Sequence, residues 1–380
     1  MIDPHHESAP SPLTFDTWQE WREFVALPAP IKPVKPKKIE MDELARDPEK
    51  LRAFNRQRID YHNSFGPIFT PDMEYVHSIF LPIIRANVVG PPGARLGGVI
   101  DGDGTIGKTT IVASLGRTYE IEMKREYPDE YTRKGDIFLP VAYVTLRGAT
   151  TVKGFSTQLA RYFSTPYRKG ADADEITDLV VENAKRCATS LILVDDIHYL
   201  KNRTKTGQDV NNHLKYLINR IPATFIFCGI GVKDNEFFSE GFSKAMSRKS
   251  QTRRRFVHVP LYTFKQDTQS PEPTESQTLK LQPQTQSTKP GGWDDLLQLF
   301  EKNLILGKRT EGMLIKHRDY IYRRTGGYMG ALTRLIRTSA NLAITDPAGG
   351  ETITKQLMNK VMLDVGAEED FSKVAEDEHE

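Results

Sequence analysis

Apolar runs of strand length alternate with amphipathic segments through the middle of this chain. The runs that predict β-strands are nearly continuous in apolar residues, and they cover residues 97–101, 138–146, 190–194, 224–231 and 256–262. Apolar residues at helical spacing predict helices at residues 71–86, 109–127, 152–164, 173–187, 209–221 and 242–255. Strands that are apolar on both faces are typical of a parallel sheet covered by helices. We therefore predict a doubly wound α/β domain over residues 53–264.

The segments on either side of this domain differ from it in composition. Residues 1–52 are polar and proline-rich, and we expect a largely disordered arm or one that docks a helix, with a partner-binding arm as the alternative. Four aromatic residues at helical spacing favour docking, namely Phe15, Trp18, Trp21 and Phe24. Residues 265–292 carry little apolar surface and predict a disordered linker. Leucine spacing predicts a helical domain over 293–363, and an acidic, solvated tail follows at 364–380.

Composition is that of a soluble globular protein. Charged residues make up 27% of the 380 residues, and the formal net charge is only +2, so binding to nucleic acid must come from local patches. The two cysteines, Cys187 and Cys228, lie in or beside apolar runs and predict buried free thiols in a reducing compartment. The first residues lack a signal-peptide pattern and no apolar run approaches about 20 residues, which predicts a cytoplasmic protein without a membrane partner.

A glycine loop directly follows the first predicted strand. It matches G-x-x-x-x-G-K-T between a strand and a helix, with the residues Gly102, Asp103, Gly104, Thr105, Ile106, Gly107, Lys108, Thr109 and Thr110. Glycines let backbone N–H groups surround a phosphate chain, and the following helix directs its positive N-terminus at that chain. Lys108 would reach the β- and γ-phosphates, and Thr109 would offer its hydroxyl to Mg²⁺. We therefore predict a site for ATP and Mg²⁺ rather than a fortuitous glycine turn.

Two aspartates end the strand at residues 190–194. In a doubly wound sheet the carboxyl ends of the strands form the ligand-binding edge, so these side chains are expected beside the glycine loop. Asp195 would hold Mg²⁺. Asp196 would stand where a carboxylate can polarise the attacking water. The alternative, two aspartates that cap a turn, does not explain their pairing with the loop.

Together these motifs resemble the AAA+ ATPases, and within them the transposition regulators of the TniB and TnsC type, which are relatives of MuB. The resemblance covers about residues 55–363, and it is carried by GDGTIGKT, LILVDDIH, TRRRFVHVPLY, WDDLLQLFEKNLIL and TGGYMGALTRLI. It implies a P-loop NTPase fold with a doubly wound parallel sheet and a C-terminal helical lid. It also implies ATPase activity with Mg²⁺.

The resemblance implies roles for four arginines. One of Arg253, Arg254 and Arg255 would be the arginine finger that reaches the γ-phosphate of a neighbouring subunit, and a solvated charge run is the alternative. Arg334 would be a second sensor on the lid. Two departures from the family pattern predict slow hydrolysis, with ATP acting as an assembly switch. Asp196 replaces the usual glutamate, and the strand at 224–231 ends without the Asn or Thr of a first sensor.

Basic side chains after the second and third predicted strands indicate contact with DNA, and they are Lys153, Lys201, Arg203 and Lys205. In AAA+ rings or filaments such loops line the central channel, where they would neutralise phosphates without reading bases. A solvent-exposed charged loop is the alternative.

The resemblance thus implies a regulator that assembles as a homo-oligomeric ring or filament on duplex DNA, without sequence preference. It would recruit or activate a partner transposase, and ATP hydrolysis would release it. Two alternatives stay open, an AAA+ helicase loader and a signalling or scaffold NTPase that binds no DNA.

Overall fold

The computed structural model of the chain describes residues 15–28, 44, 46–91, 93, 95–146, 151–197, 205–232, 255–266, 292–307, 311–346 and 350–377. The chain divides into two compact units. The first consists of Met1–Leu27 and Asp72–Tyr262, and the second of Pro28–Pro71 and Thr263–Glu380. This division differs from the predicted boundaries, because residues 53–71 group with the C-terminal helices and the N-terminal aromatic segment groups with the α/β unit.

Five parallel strands form the sheet of the first unit. In chain order they are β1 (Gly97–Asp101), β2 (Val141–Thr145), β3 (Leu191–Asp195), β4 (Thr224–Gly229) and β5 (Phe256–Pro260). Their order in the sheet is β2-β3-β4-β1-β5, and every pairing is parallel. The predicted α/β class with a parallel sheet is confirmed. The carboxyl ends of β1, β3 and β4 lie at one edge, because Asp101 pairs with Gly229 and Val194 pairs with Phe227.

Helices alternate with these strands and also make up the second unit. Among the described residues the α-helices are α1 (Trp18–Ala26), α2 (Pro48–Ser64), α3 (Pro71–Val89), α4 (Lys108–Glu126), α5 (Val152–Tyr162), α6 (Ala173–Arg186), α7 (Lys205–Arg220), α8 (Trp293–Asn303), α9 (Arg318–Thr325), α10 (Met329–Thr345), α11 (Lys355–Asn359) and α12 (Val365–Asp377). Within the described ranges, none is long and apolar enough to cross a bilayer.

Local sequence explains where several helices begin. A hydroxyl or carboxylate at the N-cap accepts a hydrogen bond from the backbone N–H three residues later, which satisfies one of the free donors of the first turn. These caps are Thr17 for α1, Asp47 for α2, Thr151 for α5 and Asp172 for α6. Helix α9 ends at Gly326 and Gly327, as the sequence predicts, and both adopt the left-handed conformation that glycine allows.

The strands β1, β3 and β4 are buried at every position, as expected for a sheet that helices cover on both faces. The N-terminal aromatic residues belong to this core. Trp21 is 1% exposed, and Phe15 and Val25 are also buried. Residues 15–27 therefore pack against their own unit.

The second unit has its own hydrophobic core. Trp293, Leu297 and Phe300 of α8 are buried in it together with residues of α9, α10 and α11. The C-terminal segment that we expect to be a solvated tail instead forms α12. Its Glu368 pairs with Arg324 at 2.7 Å, and because Arg324 is buried, its charge requires a carboxylate partner.

Candidate functional site

The glycine loop connects the end of β1 to the first residue of α4. Gly107 is the N-cap residue, and its φ of 95° lies in the left-handed region, where glycine is favoured. The Gly107 carbonyl accepts the first helical hydrogen bond, from the N–H of Ile111 at 3.0 Å. The N–H groups before Ile111 have no partner within the helix, so the start of α4 presents donors to an anion.

Gly102 has no space for a side chain. A β-carbon there would lie 2.6 Å from the carbonyl oxygen of Leu261, and it would also collide with Cδ1 of Ile106. A β-carbon at Gly104 would meet only Cδ1 of Ile230, at 4.0 Å. The first glycine of the motif is therefore required by close packing of the loop, whereas Gly104 lines open space.

Lys108 lies across the loop that precedes it. Its side chain is largely buried, and its Nζ donates a hydrogen bond to the carbonyl oxygen of Asp103. This contact holds the ammonium group over the loop. An ammonium has three donors, so Lys108 can bind an anion in addition to Asp103.

The carboxylate of Asp195 is buried at the carboxyl end of β3, where it is 2% exposed. The hydroxyl of Tyr143 donates to Oδ2 at 2.8 Å, and the backbone N–H of Asp196 donates to Oδ1 at 2.9 Å. Tyr143 is not among the predicted site residues, because its contact with Asp195 depends on the pairing of β2 with β3.

Cys228 lies on β4, between the strand that leads into the glycine loop and the strand that ends at Asp195. Burial raises the pKa of its thiol well above the usual range, and the charge of Asp195 raises it further. The charge of Lys108 lowers the pKa of the same thiol, and that of Asp196 raises it. Burial and the neighbouring carboxylate therefore keep this thiol in its neutral form.

Asp196 has a backbone φ of 59°, in the left-handed region. Aspartate and asparagine tolerate this conformation better than most residues, because their short polar side chains make local hydrogen bonds. The backbone conformation thus gives a physical reason for the short side chain of aspartate at residue 196.

Asp101 ties the base of the loop to the strands beside it. Its Oδ1 accepts a hydrogen bond from the N–H of Val232 at 3.0 Å, and its Oδ2 lies 3.5 Å from Nε2 of His258. Residue 101 directly precedes the loop in the sequence, and this position is the signal from which its role could be predicted.

The predicted finger and sensor arginines lie partly beyond the described ranges. Arg253 and Arg254 are outside them, whereas Arg255 donates to Oδ1 of Asn219 at 2.9 Å. Arg334 is exposed on α10, in the second unit.

The predicted DNA-binding residues are also only partly described. Lys153, in the first turn of α5, donates from Nζ to the carbonyl of Ala171 at 2.6 Å. Lys201 and Arg203 lie outside the described ranges. The backbone of Lys205 begins α7, but its side chain is outside them too.

Comparisons with solved structures and curated proteins give the following. The ORC1 protein of Aeropyrum pernix, in complex with DNA, superimposes with a TM-score of 0.49 at 12% identity, covering 79% of this chain and 64% of that chain. The ORC2 protein of Aeropyrum pernix, in ADPNP-ADP complexes, gives 0.49 at 14% identity, with 78% and 67% covered. PCH-2 of C. elegans gives 0.41 at 14%, with 80% and 69% covered. The chain thus spans less than two thirds of the ORC1 chain, and no curated protein matches it.

A family model described as bacterial TniB protein matches residues 88–266. These residues contain the glycine loop, both aspartates, Cys228 and all five strands of the sheet. The match confirms that this part of the chain is similar to bacterial TniB proteins, as its motifs indicate.

Proposed function

We propose that this chain is an ATP-dependent, DNA-binding regulator of transposition, and that it binds and slowly hydrolyses ATP. The observation that carries the proposal is the register of the sheet, which puts the end of β1, where the glycine loop begins, and the carboxylate that ends β3 at the same edge, with β4 between them. The similarity of residues 88–266 to TniB supports the link to transposition. Buried free thiols at Cys187 and Cys228 support a reducing compartment, the cytoplasm.

The residues at this site fit a nucleotide triphosphate. The loop has open space at Gly104, the start of α4 presents backbone donors, and Lys108 supplies a positive charge. Thr109 is half-buried next to Lys108. Its hydroxyl and the carboxylate of Asp195 are oxygen ligands of the kind that Mg²⁺ prefers.

Each residue would then have a defined task. The loop N–H groups and Lys108 would hold the phosphates, and Thr109 and Asp195 would hold Mg²⁺. When bound, Mg²⁺ would neutralise charge on the phosphate oxygens. Asp196 would accept a hydrogen bond from the attacking water and draw off its proton.

Replacement of Lys108 tests the nucleotide site. Because Lys108→Ala removes a charged donor, we expect the Kd for Mg-ATP to rise about 10-fold to 100-fold. Lys185→Ala is the matched control, since Lys185 is an exposed lysine on α6. Equal affinity of wild-type and Lys108→Ala protein in a fluorescent-nucleotide titration would refute the proposed site.

DNA binding is proposed for the basic residues that follow β2 and β3. Lys153, Lys201, Arg203 and Lys205 would contact phosphates without reading bases. Affinity for duplex DNA in the presence of ATP should therefore fall steeply with salt. Each lost phosphate contact should reduce the slope of log K against log salt by about 0.9. A Lys201→Ala and Arg203→Ala double variant with an unchanged slope would exclude this loop as the DNA contact.

The proposed function also includes assembly of several copies of the chain and recruitment of a transposase. ATP would favour a homo-oligomer, with Arg253, Arg254 or Arg255 reaching the nucleotide of the next subunit and Arg334 sensing it from the lid. The assembly on DNA would recruit or activate a transposase, and hydrolysis would release it. Light scattering with duplex DNA and a slowly hydrolysed ATP analogue should show particles larger than those with ADP. Equal mass in both states would contradict nucleotide-controlled assembly.

A further inference from the structure

Tyr143 and Asp195 point to the same face of the sheet. Thr145 is the direct partner of Asp195 in the pairing of β2 with β3, and residues two apart on a strand share a face. Tyr143 is therefore a diagonal neighbour of Asp195. Its side chain is long enough to cross this offset, and its hydroxyl reaches Oδ2 at 2.8 Å.

This hydrogen bond orients a carboxylate that is shielded from solvent. Asp195 is 2% exposed and Tyr143 is fully buried. The N–H of Asp196 holds the other oxygen at 2.9 Å. One donor on each oxygen fixes the plane of the carboxylate. The remaining lone pairs of the two oxygens therefore point in a fixed direction. Such outer partners of a metal ligand orient the ligand and strengthen metal binding.

The N-terminal segment, residues 15–27, packs against the ring of Tyr143. The ring of Phe15 meets it edge-on, with centroids 5.1 Å apart and an angle of 85°. The indole of Trp21 stacks on it at 5.6 Å and 20°. Phe15 and Trp21 also contact each other, at 5.0 Å. Two aromatic rings from the segment therefore limit where the phenol can move.

Polar contacts fasten the same segment to the elements around the site. Trp21 donates from Nε1 to Glu120 on α4. Arg117, also on α4, donates from Nε to the carbonyl of Val25 at 3.1 Å. Arg22 donates to the carbonyl of Phe138, ahead of β2, at 2.7 Å. The segment thus binds both the helix that begins at Lys108 and the region before the strand that carries Tyr143.

We propose that Tyr143 is a positioning residue for Asp195, and that the N-terminal segment holds Tyr143 in place. The segment thereby sets how well the site binds Mg²⁺. This inference rests on the proposed nucleotide site. It adds Tyr143, a residue outside the sequence motifs, as the group that orients the metal ligand Asp195.

Tyr143→Phe removes the hydroxyl and keeps the ring packing. The matched control is Tyr162→Phe, because Tyr162 is equally buried and its hydroxyl donates to the carbonyl of Val141 on the same strand, at 2.9 Å. The readout is the Mg²⁺ concentration that half-maximally tightens binding of a fluorescent ATP analogue to the full chain. We expect this concentration to rise about 10-fold in Tyr143→Phe, to stay unchanged in Tyr162→Phe, and affinity in EDTA to be equal in all three proteins.

A second pair of variants tests the N-terminal segment. Phe15→Ala removes a ring that contacts Tyr143, whereas Phe24→Ala removes one that contacts Phe15 and Trp21. Phe15→Ala should raise the half-maximal Mg²⁺ concentration at least 3-fold more than Phe24→Ala.

The outcomes separate this inference from the proposed function. If wild-type protein binds the analogue with Mg²⁺ and Tyr143→Phe shows the same Mg²⁺ dependence, the positioning role is wrong and the nucleotide site stands. If Tyr143→Phe behaves as expected but Phe15→Ala and Phe24→Ala change the half-maximal Mg²⁺ concentration equally, the proposed role of the N-terminal segment is wrong. If wild-type protein binds no nucleotide, the proposed function is wrong and this inference falls with it.

Discussion

The indole of Trp21 lies against the backbone of Gly116, on the helix that begins at the glycine loop. A β-carbon at residue 116 would lie 2.9 Å from Cη2 of Trp21 and 2.6 Å from Cδ1 of Leu193. The helix therefore admits the N-terminal indole only because residue 116 has no side chain. This glycine, in the interior of α4, exchanges helix propensity for close packing.

Gly116→Ala should destabilise the protein, against the usual direction. In an exposed helix interior, glycine to alanine gains about 1 kcal/mol. Here the added methyl group overpacks the core, which typically costs about 1–3 kcal/mol, so the net change should be a loss. Urea unfolding measures it.

Gly366→Ala provides the comparison for this substitution. Gly366 lies in α12, and a β-carbon there would be 3.5 Å from Oδ1 of Asp364, which is an ordinary contact. We expect Gly366→Ala to be neutral or stabilising. A Gly116→Ala variant at least as stable as wild type would show that Trp21 does not occupy this position.

The features of the site that depend on consecutive residues could be predicted from the sequence. A buried strand, a glycine loop and a helix follow each other from 97 to 126, so periodicity and spacing were sufficient. The carboxylates ending β3 could be placed beside the loop because parallel strands end at a common edge.

The remaining features depend on contacts between distant parts of the chain. Residues 15–27 have an aromatic stripe, but nothing local says that it packs on Tyr143. The ion pair of Arg324 with Glu368 makes α12 part of the second unit, whereas composition alone indicates a solvated tail. The left-handed backbone of Asp196 likewise depends on the turn after β3, which a strand pattern does not describe.

Substitution at the first glycine of the loop should be far more damaging than at the second. Gly102→Ala places a methyl group 2.6 Å from the Leu261 carbonyl, whereas Gly104→Ala meets no atom closer than 4.0 Å. We expect Gly102→Ala to lose about 1–3 kcal/mol of stability and Gly104→Ala to lie near wild type. Thermal unfolding of the nucleotide-free protein decides between them. Equal melting temperatures for the two variants would contradict the packing described for Gly102.

Asp196→Asn should separate nucleotide binding from hydrolysis. Asparagine tolerates the left-handed backbone as aspartate does, so folding and ATP affinity should be retained. Loss of the carboxylate should lower the hydrolysis rate about 100-fold or more. Phosphate release by the purified protein is the measurement. Hydrolysis by Asp196→Asn at the wild-type rate would remove Asp196 from the catalytic role.

Asp196→Glu tests the reason for aspartate at this position. Glutamate keeps the carboxylate, but it should cost about 1 kcal/mol more in the left-handed backbone. We therefore expect a lower melting temperature than for Asp196→Asn. The opposite order of stability would show that backbone conformation does not explain the choice of aspartate.

The second unit should lose stability in mild acid because His62 is buried in its neutral form. His62 is fully buried, its Nε2 accepts the N–H of Ile305 at 3.0 Å, and its Nδ1 faces Oδ1 of Asn341 at 3.3 Å. Burial, together with the charges of Arg58 and Arg337 and against the opposing effect of the Asn341 hydrogen bond, lowers the pKa of His62 to about 4. The unfolded state, with a pKa near 6.5, binds more protons between these values, so the free energy of unfolding falls as pH drops through this window.

The contribution of His62 should be about 2 kcal/mol between pH 7 and pH 5. His62→Gln keeps an acceptor for the Ile305 N–H but cannot be protonated in this range. Its free energy of unfolding should be lower than that of wild type at pH 7. Because glutamine gains no proton in this range, the difference between the two free energies of unfolding should shrink by about 2 kcal/mol at pH 5. Urea unfolding at the two pH values gives both quantities. Parallel pH dependence of the two proteins would mean that protonation of His62 does not contribute, because every other titrating group is common to both.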